Sequence, residues 1–268
     1  MNELITGLLQ ESISGIALGS IYALIALGFT LIYKASEVVN FAQGEVMMVG
    51  AYVNFFFVSY FSSMVGEVNG WVFLLAFLGS IIFAVIFGIT LDFIINRPLK
   101  DEPVFSIIMA TISLGIILRA LTALIAGPIS LVPQSPFGGS VMEVGGVVVS
   151  YLDLSIIFSA VVLMGLFFVF FNKTRWGIAM KATSEDSEAA QLMGIPVKKV
   201  YMIVWVFAAI VGVVSGILLA PRMSLLDTSM GFLGLKAFPA AILGGFGSIP
   251  GAVVGGVILG VIETVSMG

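Results

Sequence analysis

Two charged residues stand inside long apolar stretches of this sequence. Glu45 closes the motif N40-F-A-Q-G-E, and Lys236 lies in G234-L-K-A-F-P. An ionised side chain within a membrane span is costly and usually faces protein or water, which makes it a candidate for a substrate or ion pathway. Each of the two could instead belong to a structural ion pair or act as an anchor at the membrane interface.

Further polar residues surround the first of these charges. Asn40, Gln43 and Glu45 lie within six residues, with Gly44 beside them, in an otherwise apolar segment. A continuous lipid-facing helix gains nothing from this composition. Non-helical backbone is tolerated at membrane depth where protein buries it or water reaches it, and transporters use such breaks near their substrate sites. We therefore predict that these four residues line a translocation pathway.

The stretch around Lys236 repeats this logic. It contains Pro239 and the run G244-G-F-G, so we predict a second interrupted helix within residues 234–247. Lys236, Gly244 and Gly245 are placed on the same pathway. Such polar groups, without a deep site, would let a zwitterionic solute pass without trapping it. Glu45 and Lys236 could alternatively pair with each other and close the path at rest.

Two other charges within apolar segments are assigned structural roles. Asp92 stands close to Arg97 at the end of its segment. Arg119 lies two helical turns from the end of its own segment, where its long side chain can snorkel toward the interface.

The elements that must position these residues follow from the composition. The chain is 60% hydrophobic and only 10% charged, whereas soluble domains are roughly 45–50% apolar and 25% charged. We predict a single all-α, polytopic membrane domain over residues 1–268, with about eight transmembrane or membrane-embedded helices, some of them broken. The predicted segments are 12–33, 40–61, 71–95, 104–126, 154–171, 200–220, 231–247 and a last one from about 251.

The residue types that are missing exclude several function classes. The chain has no His and no Cys, which removes the common zinc and haem ligand sets, thiolate nucleophiles and His-based catalysis. We therefore predict neither an enzyme nor a metal site. A net charge of −4 without a basic block argues against nucleic acid as a partner. No basic region precedes the first span, so we expect that span to be retained.

The Lys and Arg residues predict the orientation, because they favour cytoplasmic loops. With the N-terminus outside, only Arg222 falls in an exterior loop. The loop at 127–153, which has no Lys or Arg, is then exterior. The interior loops hold eight basic residues: Lys34, Arg97, Lys100, Lys173, Arg175, Lys181, Lys198 and Lys199.

Glycines recur at four-residue spacing, which places them on one helix face. Such faces allow close backbone packing in lipid, either within the chain or between subunits. The pairs and triplet are Gly15/Gly19, Gly212/Gly216, Gly247/Gly251/Gly255 and Gly256/Gly260.

The polar loop at 172–199 contains signals for a short helix from Ser184 to Met193. Thr183 or Ser184 can cap its start, and acidic residues follow in the first turn. Gly194 is a plausible left-handed stop, with Pro196 beyond it. About 15 Å of helix is too short to span a membrane but long enough to dock. Its apolar positions, predicted to be exposed, are Ala189, Ala190, Leu192 and Met193. A solvated helix on the membrane surface is the alternative.

Three motifs resemble one family. E188-A-A-Q-L-M-G is similar to the Glu-Ala-Ala…Gly loop through which ABC-importer permeases contact their ATPases. The stretches from Gly19 to Tyr52 and from Gly234 to Glu263 resemble the LivH-type branched-chain amino-acid permeases. The resemblance implies a role in ATPase coupling for Glu185, Glu188, Ala189, Ala190, Leu192 and Gly194.

The resemblance also implies partners. They are a related permease or a second copy, two cytoplasmic ATPases that bind ATP and Mg, and a periplasmic substrate-binding protein. The chain itself has no phosphate loop and is expected to hold no cofactor. It would lie in the inner membrane and translocate leucine, isoleucine, valine or related small polar solutes.

Other interpretations remain open. Related permeases serve urea or short amides, and a channel or secondary transporter would need no ATPase. The docking loop argues against the latter class. The chain departs from the family in having Gln43 where His is frequent. Family members usually continue past the equivalent of Glu263, so we expect a shortened form.

Overall fold

The computed structural model describes residues 2–99, 102–127, 130–135, 139–144, 147–223 and 225–267, and these are overwhelmingly helical. Lys100 and part of the predicted exterior loop lie outside the described residues. The helices are α1 (Asn2–Ser36), α2 (Gln43–Val65), α3 (Gly70–Leu91), α4 (Arg97–Leu99), α5 (Val104–Ala126), α6 (Tyr151–Lys173), α7 (Arg175–Glu185), α8 (Ser187–Leu192), α9 (Val197–Leu219), α10 (Met230–Gly244) and α11 (Ile249–Met267).

Among the described residues, seven helical segments are long and apolar enough to cross a bilayer. The eighth membrane helix is α10, which has 15 residues. The predicted all-α polytopic architecture is confirmed. The helix ends differ from the predicted ends by a few residues, except that α1 begins at Asn2 rather than near residue 12. The protein is therefore a multi-pass helical membrane protein.

Helix α1 lies at the centre of the molecule, and residues 19–32 are all buried. It packs most extensively on α11, and also on α9, α10 and α6. A Cβ atom added at Gly19 would lie 2.7 Å from Cα of Val257, so the two helix backbones touch. The glycine faces at 15/19 and 256/260 thus pack within this one chain, which is the first of the two predicted alternatives.

Helices α3, α5 and α6 lie at the periphery. Each exposes large apolar side chains along one side, as Ile82, Ile116 and Phe158 illustrate. α5 packs mainly on α2, with a smaller contact at the end of α3. Such apolar surfaces are suited to lipid.

The two ends of the bundle differ. One end, which we call the α8 end, contains α7 and α8 together with the last residues of α1 and the first residues of α9. At the other, the hairpin end, strands β1 (Val141–Val144) and β2 (Val147–Ser150) form an antiparallel hairpin. There Arg222 forms an ion pair with Asp153 and donates a hydrogen bond to the Ser14 carbonyl at 3.1 Å.

A π-helical turn at Asp92–Asn96 extends α3 into α4. Asp92 is completely buried, and its carboxylate accepts bonds from Asn96 Nδ2 at 2.7 Å and Arg97 Nε at 2.9 Å. The wider π turn brings residues four and five positions ahead onto one side. The predicted proximity of Asp92 and Arg97 is confirmed as a structural ion pair.

Candidate functional site

The chain between α1 and α2 is irregular, and beyond the exposed Glu37 it is buried or half-buried. Glu37 adopts a φ of 56°, after which the backbone turns back between the helices. Asn40 is only 1% exposed, and its Oδ1 accepts the Ala42 amide at 3.1 Å. The Phe41 amide donates to Oγ1 of Thr111 at 3.3 Å. Residues 37–42 form this re-entrant segment, which uses side chains to satisfy its amides. The predicted break at residues 40–45 is thus correct for Asn40 and wrong for Gln43, Gly44 and Glu45, which form the first turn of α2.

Its depth can be read from neighbouring helices. Gln43 Nε2 donates to the carbonyl of Ala208 at 3.0 Å, and Ala208 is the twelfth residue of α9. Gln43 also abuts Gly28, which lies eight residues before the end of α1. At 1.5 Å per residue, the distance from Gly28 to the end of α1 and the distance from the start of α9 to Ala208 place the start of α2 about 12–16 Å from the α8 end. The start of α2 therefore lies well inside the helical bundle rather than at its α8 end.

Glu45 forms an ion pair with Arg119 of α5 in the same layer. Glu45 is 5% exposed. Two glycines leave room for its carboxylate, since a Cβ at Gly115 or Gly231 would lie 3.3 or 3.2 Å from it. The Arg119 guanidinium covers the Phe232 ring, with 3.7 Å between its carbon and the ring centroid. The prediction that the Arg119 side chain snorkels toward the interface is therefore wrong. It neutralises a buried charge, which is what an acid at this depth requires.

Gly44 lies where α2 crosses α10. A Cβ on Gly44 would overlap the carbonyl oxygen of Gly231 and come within 3.2 Å of Cα of Gly234. Any side chain at this crossing would separate the two helices. The role of Gly44 is thus to let α10 approach the Glu45 layer.

Lys236 has a different partner from the one proposed in the closed-path alternative. Its Nζ donates to Oε1 of Glu263 at 2.7 Å, and the other oxygen of Glu263 accepts the Tyr22 hydroxyl at 2.7 Å. Two residues along a helix turn about 200°, so Lys236 faces away from Gly234 and the Glu45 layer. The predicted pairing of Glu45 with Lys236 is wrong in this structure.

The predicted break within residues 234–247 occurs only at the end of that range, at residues 245–247, and not at Lys236 or Pro239. α10 runs without interruption from Met230 to Gly244, with Pro239 inside it. Pro removes one backbone hydrogen bond, and the remaining turns still hold the helix. Gly244 packs on Gly251 and Gly245 has a φ of 82°, so both belong to the turn between α10 and α11 at the α8 end.

Helix α8 exists but is shorter than predicted. Thr174 caps α7, which continues through Thr183 and Ser184 to Glu185. The N-cap of α8 is instead Asp186, whose Oδ1 accepts the amides of Glu188 and Ala189 at 3.0 and 2.9 Å. The predicted caps Thr183 and Ser184 are therefore wrong.

The predicted C-terminal stop of α8 is confirmed. Gly194 has a φ of 83° and donates to the Gln191 carbonyl, while the Ile195 amide donates to the Ala190 carbonyl, both at 3.0 Å. This is the Schellman arrangement, which satisfies the last carbonyls of a helix. A six-residue helix is thus held rigidly at both ends.

The side chains on different faces of α8 differ in exposure. Ala190 is buried, contrary to the prediction that it is exposed, because it packs towards the protein. Ala189 is exposed, and Leu192 and Met193 are 89% and 84% exposed. Ser187, Glu188 and Gln191 lie along another side.

That other side of α8 closes a cavity of about 280 Å³. The cavity reaches from Glu188 to Asn40 and Thr111, and Trp205 of α9 forms part of its wall. Among the predicted pathway residues, Asn40 alone lines it. Gln43 and Glu45 lie in the first turn of α2, farther from α8, and do not line the cavity.

Comparison with known proteins agrees with this architecture. The family described as "Branched-chain amino acid transport system / permease component" matches residues 12–268. The permease LivH of Escherichia coli K12 is 34% identical over 99% of this chain and 88% of its own length. BraD of Pseudomonas aeruginosa is 35% identical over 95% of this chain and 85% of its own length.

A more distant relative comes from an archaeon. The probable LivH permease of Methanocaldococcus jannaschii is 28% identical over 91% of this chain and 76% of its own length. No solved structure shows a significant match. The family match over almost the whole length, together with relatives above 30% identity, shows that this chain belongs to the branched-chain amino acid transport system permease components.

Proposed function

We propose that this chain is the membrane-spanning permease subunit of an ATP-driven importer of branched-chain amino acids. Family membership supports the class, and the relatives LivH and BraD carry branched-chain amino acid transport in their names. The single structural observation that carries the proposal is helix α8. Its two firm caps and exposed apolar face suit it to a groove in a partner protein.

The docking face consists of Ala189, Leu192 and Met193. Two large apolar side chains that are more than four-fifths exposed, outside the membrane spans, are covered when a partner binds. The partner is a cytoplasmic ATPase, one of two that bind ATP and Mg for the assembly. Rigid caps let α8 transmit the movement of that partner to α7 and α9.

The α8 end is cytoplasmic in this proposal. Lys34, Lys173, Lys181 and Lys198 all belong to segments that meet there, and basic residues favour the cytoplasmic side. The hairpin end then faces the periplasm and receives a substrate-binding protein. The membrane is the inner membrane.

The translocation pathway passes the Glu45 layer. Irregular, largely buried backbone and a charge pair inside the membrane-spanning bundle are features that transporters place beside their cargo. Lys236 is 49% exposed at membrane depth, and lipid is a poor neighbour for a charged group. A second permease subunit, related or identical, covers this side of α10.

Reconstitution tests the function. The chain, placed in vesicles with its cognate ATPase and binding-protein subunits, is expected to accumulate labelled leucine when ATP is supplied on the α8 side. Urea and acetamide serve as alternative cargo. ATP-driven uptake of an amide without uptake of leucine would contradict the proposed substrate. Leucine flux that does not depend on ATP would contradict the assignment to the ATP-driven importers.

The docking face has its own test. Leu192→Asn is expected to reduce co-purification of the ATPase about tenfold or more, because a buried Leu contributes roughly 1.5–3 kcal/mol. Leu225→Asn, at an exposed Leu of the hairpin end, is the matched control and should have no effect. Equal ATPase recovery from both variants would show that α8 is not the docking element.

Orientation can be measured in this Cys-free chain. A Cys at Ser135, between the hairpin and α5, should react with an impermeant thiol reagent in intact spheroplasts. A Cys at Ser187 of α8 should react only after permeabilisation. The reverse pattern would invert the proposed orientation.

A further inference from the structure

The cavity behind α8 has an orphaned donor in its wall. Asn40 is 1% exposed, its Oδ1 accepts the Ala42 amide, and its Nδ2 has no hydrogen-bond partner. A buried donor without a partner is costly and calls for an explanation, such as a ligand that supplies an acceptor. The cavity is the space in which that acceptor can be placed.

The cavity has one charge. Glu188 is the single Asp, Glu, Lys or Arg among the described residues that line it. No ion-pair partner is found for Glu188 within the described parts of the chain. A lone carboxylate at the mouth of a cavity attracts a cationic group, and an ammonium group bonds to a carboxylate well.

The rest of the wall is mixed, with apolar side chains beside the polar residues Ser36, Asn96, Thr111, Ser187, Gln191 and Tyr201. Ile32 of α1, Val39 of the re-entrant segment and Ile107 of α5 are close enough to line it together. About 280 Å³ is near the lower end of the roughly 300–1,000 Å³ of small-molecule sites. The lining thus suits a small ligand with an ammonium group, an acceptor and a compact apolar body.

We propose that this cavity binds an α-amino acid with a short branched side chain, its ammonium at Glu188 and its carboxylate at Asn40. The assignment rests on the proposed function for its choice of ligand class. The occupant is an amino acid at the α8 end, where transported product collects. It connects α8 to the re-entrant segment, so the cavity side of the docking helix senses product while its other side contacts the ATPase.

Trp205 provides a direct readout, because it is part of the cavity wall. Trp71 and Trp176 are 75% and 39% exposed, so Trp71→Phe and Trp176→Phe leave Trp205 as the single tryptophan of the chain. Titration of this full-length chain in nanodiscs with L-leucine, without ATP, is expected to change the Trp205 emission saturably. Circular dichroism confirms that each variant is folded.

Four comparisons decide the assignment. Glu188→Gln should weaken leucine binding about tenfold, the usual scale for losing a charge-assisted hydrogen bond. Glu102→Gln, at an exposed glutamate of the same end, is the matched control and should bind as the parent does. Ile107→Phe fills the apolar side and should abolish the change. Isopentylamine, which lacks the carboxylate, should bind at least tenfold more weakly than leucine.

Several results would overturn the assignment. They are the absence of a saturable signal, an equal effect of Glu188→Gln and Glu102→Gln, unchanged binding in Ile107→Phe, or isopentylamine binding as tightly as leucine. Failure here differs from failure of the proposed function. ATP-driven leucine uptake without leucine binding in the cavity would contradict the proposed site alone. Leucine binding in the cavity without ATP-driven uptake would contradict the proposed function alone.

Discussion

Two ion pairs at membrane depth have the same chemistry but different surroundings. Glu45–Arg119 joins α2 to α5, and Lys236–Glu263 joins α10 to α11. The first has the more deeply buried acid, with the Glu45 side chain 7% exposed against 19% for Glu263. The second has an additional donor, the hydroxyl of Tyr22.

The helices around the two pairs explain the difference. α11 packs along α1 through glycines and along α10 where Gly244 meets Gly251 and Gly255 meets Ala240. These backbones would be held together without the Lys236–Glu263 pair. α5 has α2 as its main neighbour, and the Glu45–Arg119 pair is one of the contacts that hold it, together with the core residues Leu114 and Leu118.

The two ion pairs therefore differ in how easily the helices that they join can separate. A helix with one main neighbour can move at the cost of that contact, whereas a helix packed through glycines on two sides cannot move without repacking both. We therefore expect the α2–α5 contact to change during transport and the α1–α10–α11 group to move as one body.

The largest expected effect comes from breaking the first pair. Arg119→Met leaves the Glu45 carboxylate buried without a counter-charge, a change that costs about 3–5 kcal/mol. Lys236→Met is the matched variant, and it should cost much less because Glu263 keeps the Tyr22 hydroxyl and is more exposed. The midpoints of unfolding in detergent, measured by SDS titration, compare the two. An equal loss in both variants would remove the distinction between the pairs.

A smaller effect is expected from Tyr22→Phe. Tyr22 is 2% exposed and donates to Glu263 at 2.7 Å. Loss of a hydrogen bond to a charged group costs about 1.5–3 kcal/mol. The free energy of unfolding should fall by this amount while leucine uptake per folded molecule stays unchanged, because the bond lies in the rigid group. A fall in uptake with no loss of stability would place Tyr22 on the pathway instead.

The smallest effects come from adding one methyl group in each region. At Gly260, a Cβ would overlap the backbone of Gly19, so Gly260→Ala should cost about 1–3 kcal/mol. At Gly115, the Cβ would approach the Glu45 side chain at 3.3 Å, and that side chain can shift. Gly115→Ala should be nearly neutral, since Ala also gains about 0.5–1 kcal/mol over Gly in a helix. Thermal unfolding of both variants measures the difference, and greater damage at Gly115 would contradict it.

Much of the fold could be predicted from local signals. Apolar runs located the spans, and Gly194 with Pro196 located the end of α8, because hydropathy and backbone conformation depend on neighbouring residues. The start of α8 was misplaced because Thr183 and Ser184 are ordinary interior residues once Thr174 has started α7. The burial of Ala190 depends on what α8 packs against, which no local pattern contains.

The candidate site was predicted in part. The polarity of Asn40, Gln43 and Glu45, with Gly44 beside them, predicts a break in this segment. The structure has an interruption between α1 and α2 that contains Asn40, and the other three residues begin α2. Gly244 and Gly245 were chosen by the same reasoning and belong to an end turn, because flexible residues mark turns as well as breaks. The contribution of Arg119 was missed, although a lone acid at membrane depth is itself a signal to look for a base.

By itself, the sequence determined that the chain crosses a membrane repeatedly and that the acids and bases at membrane depth must be neutralised. Glu45 and Glu263 offered two negative charges, and Arg119 and Lys236 offered two positive ones. Only the tertiary structure decided which of these two acids meets which of these two bases. The physical reason is that helix contacts in lipid follow from close backbone packing at small residues, and a glycine does not specify its partner until the helices are assembled.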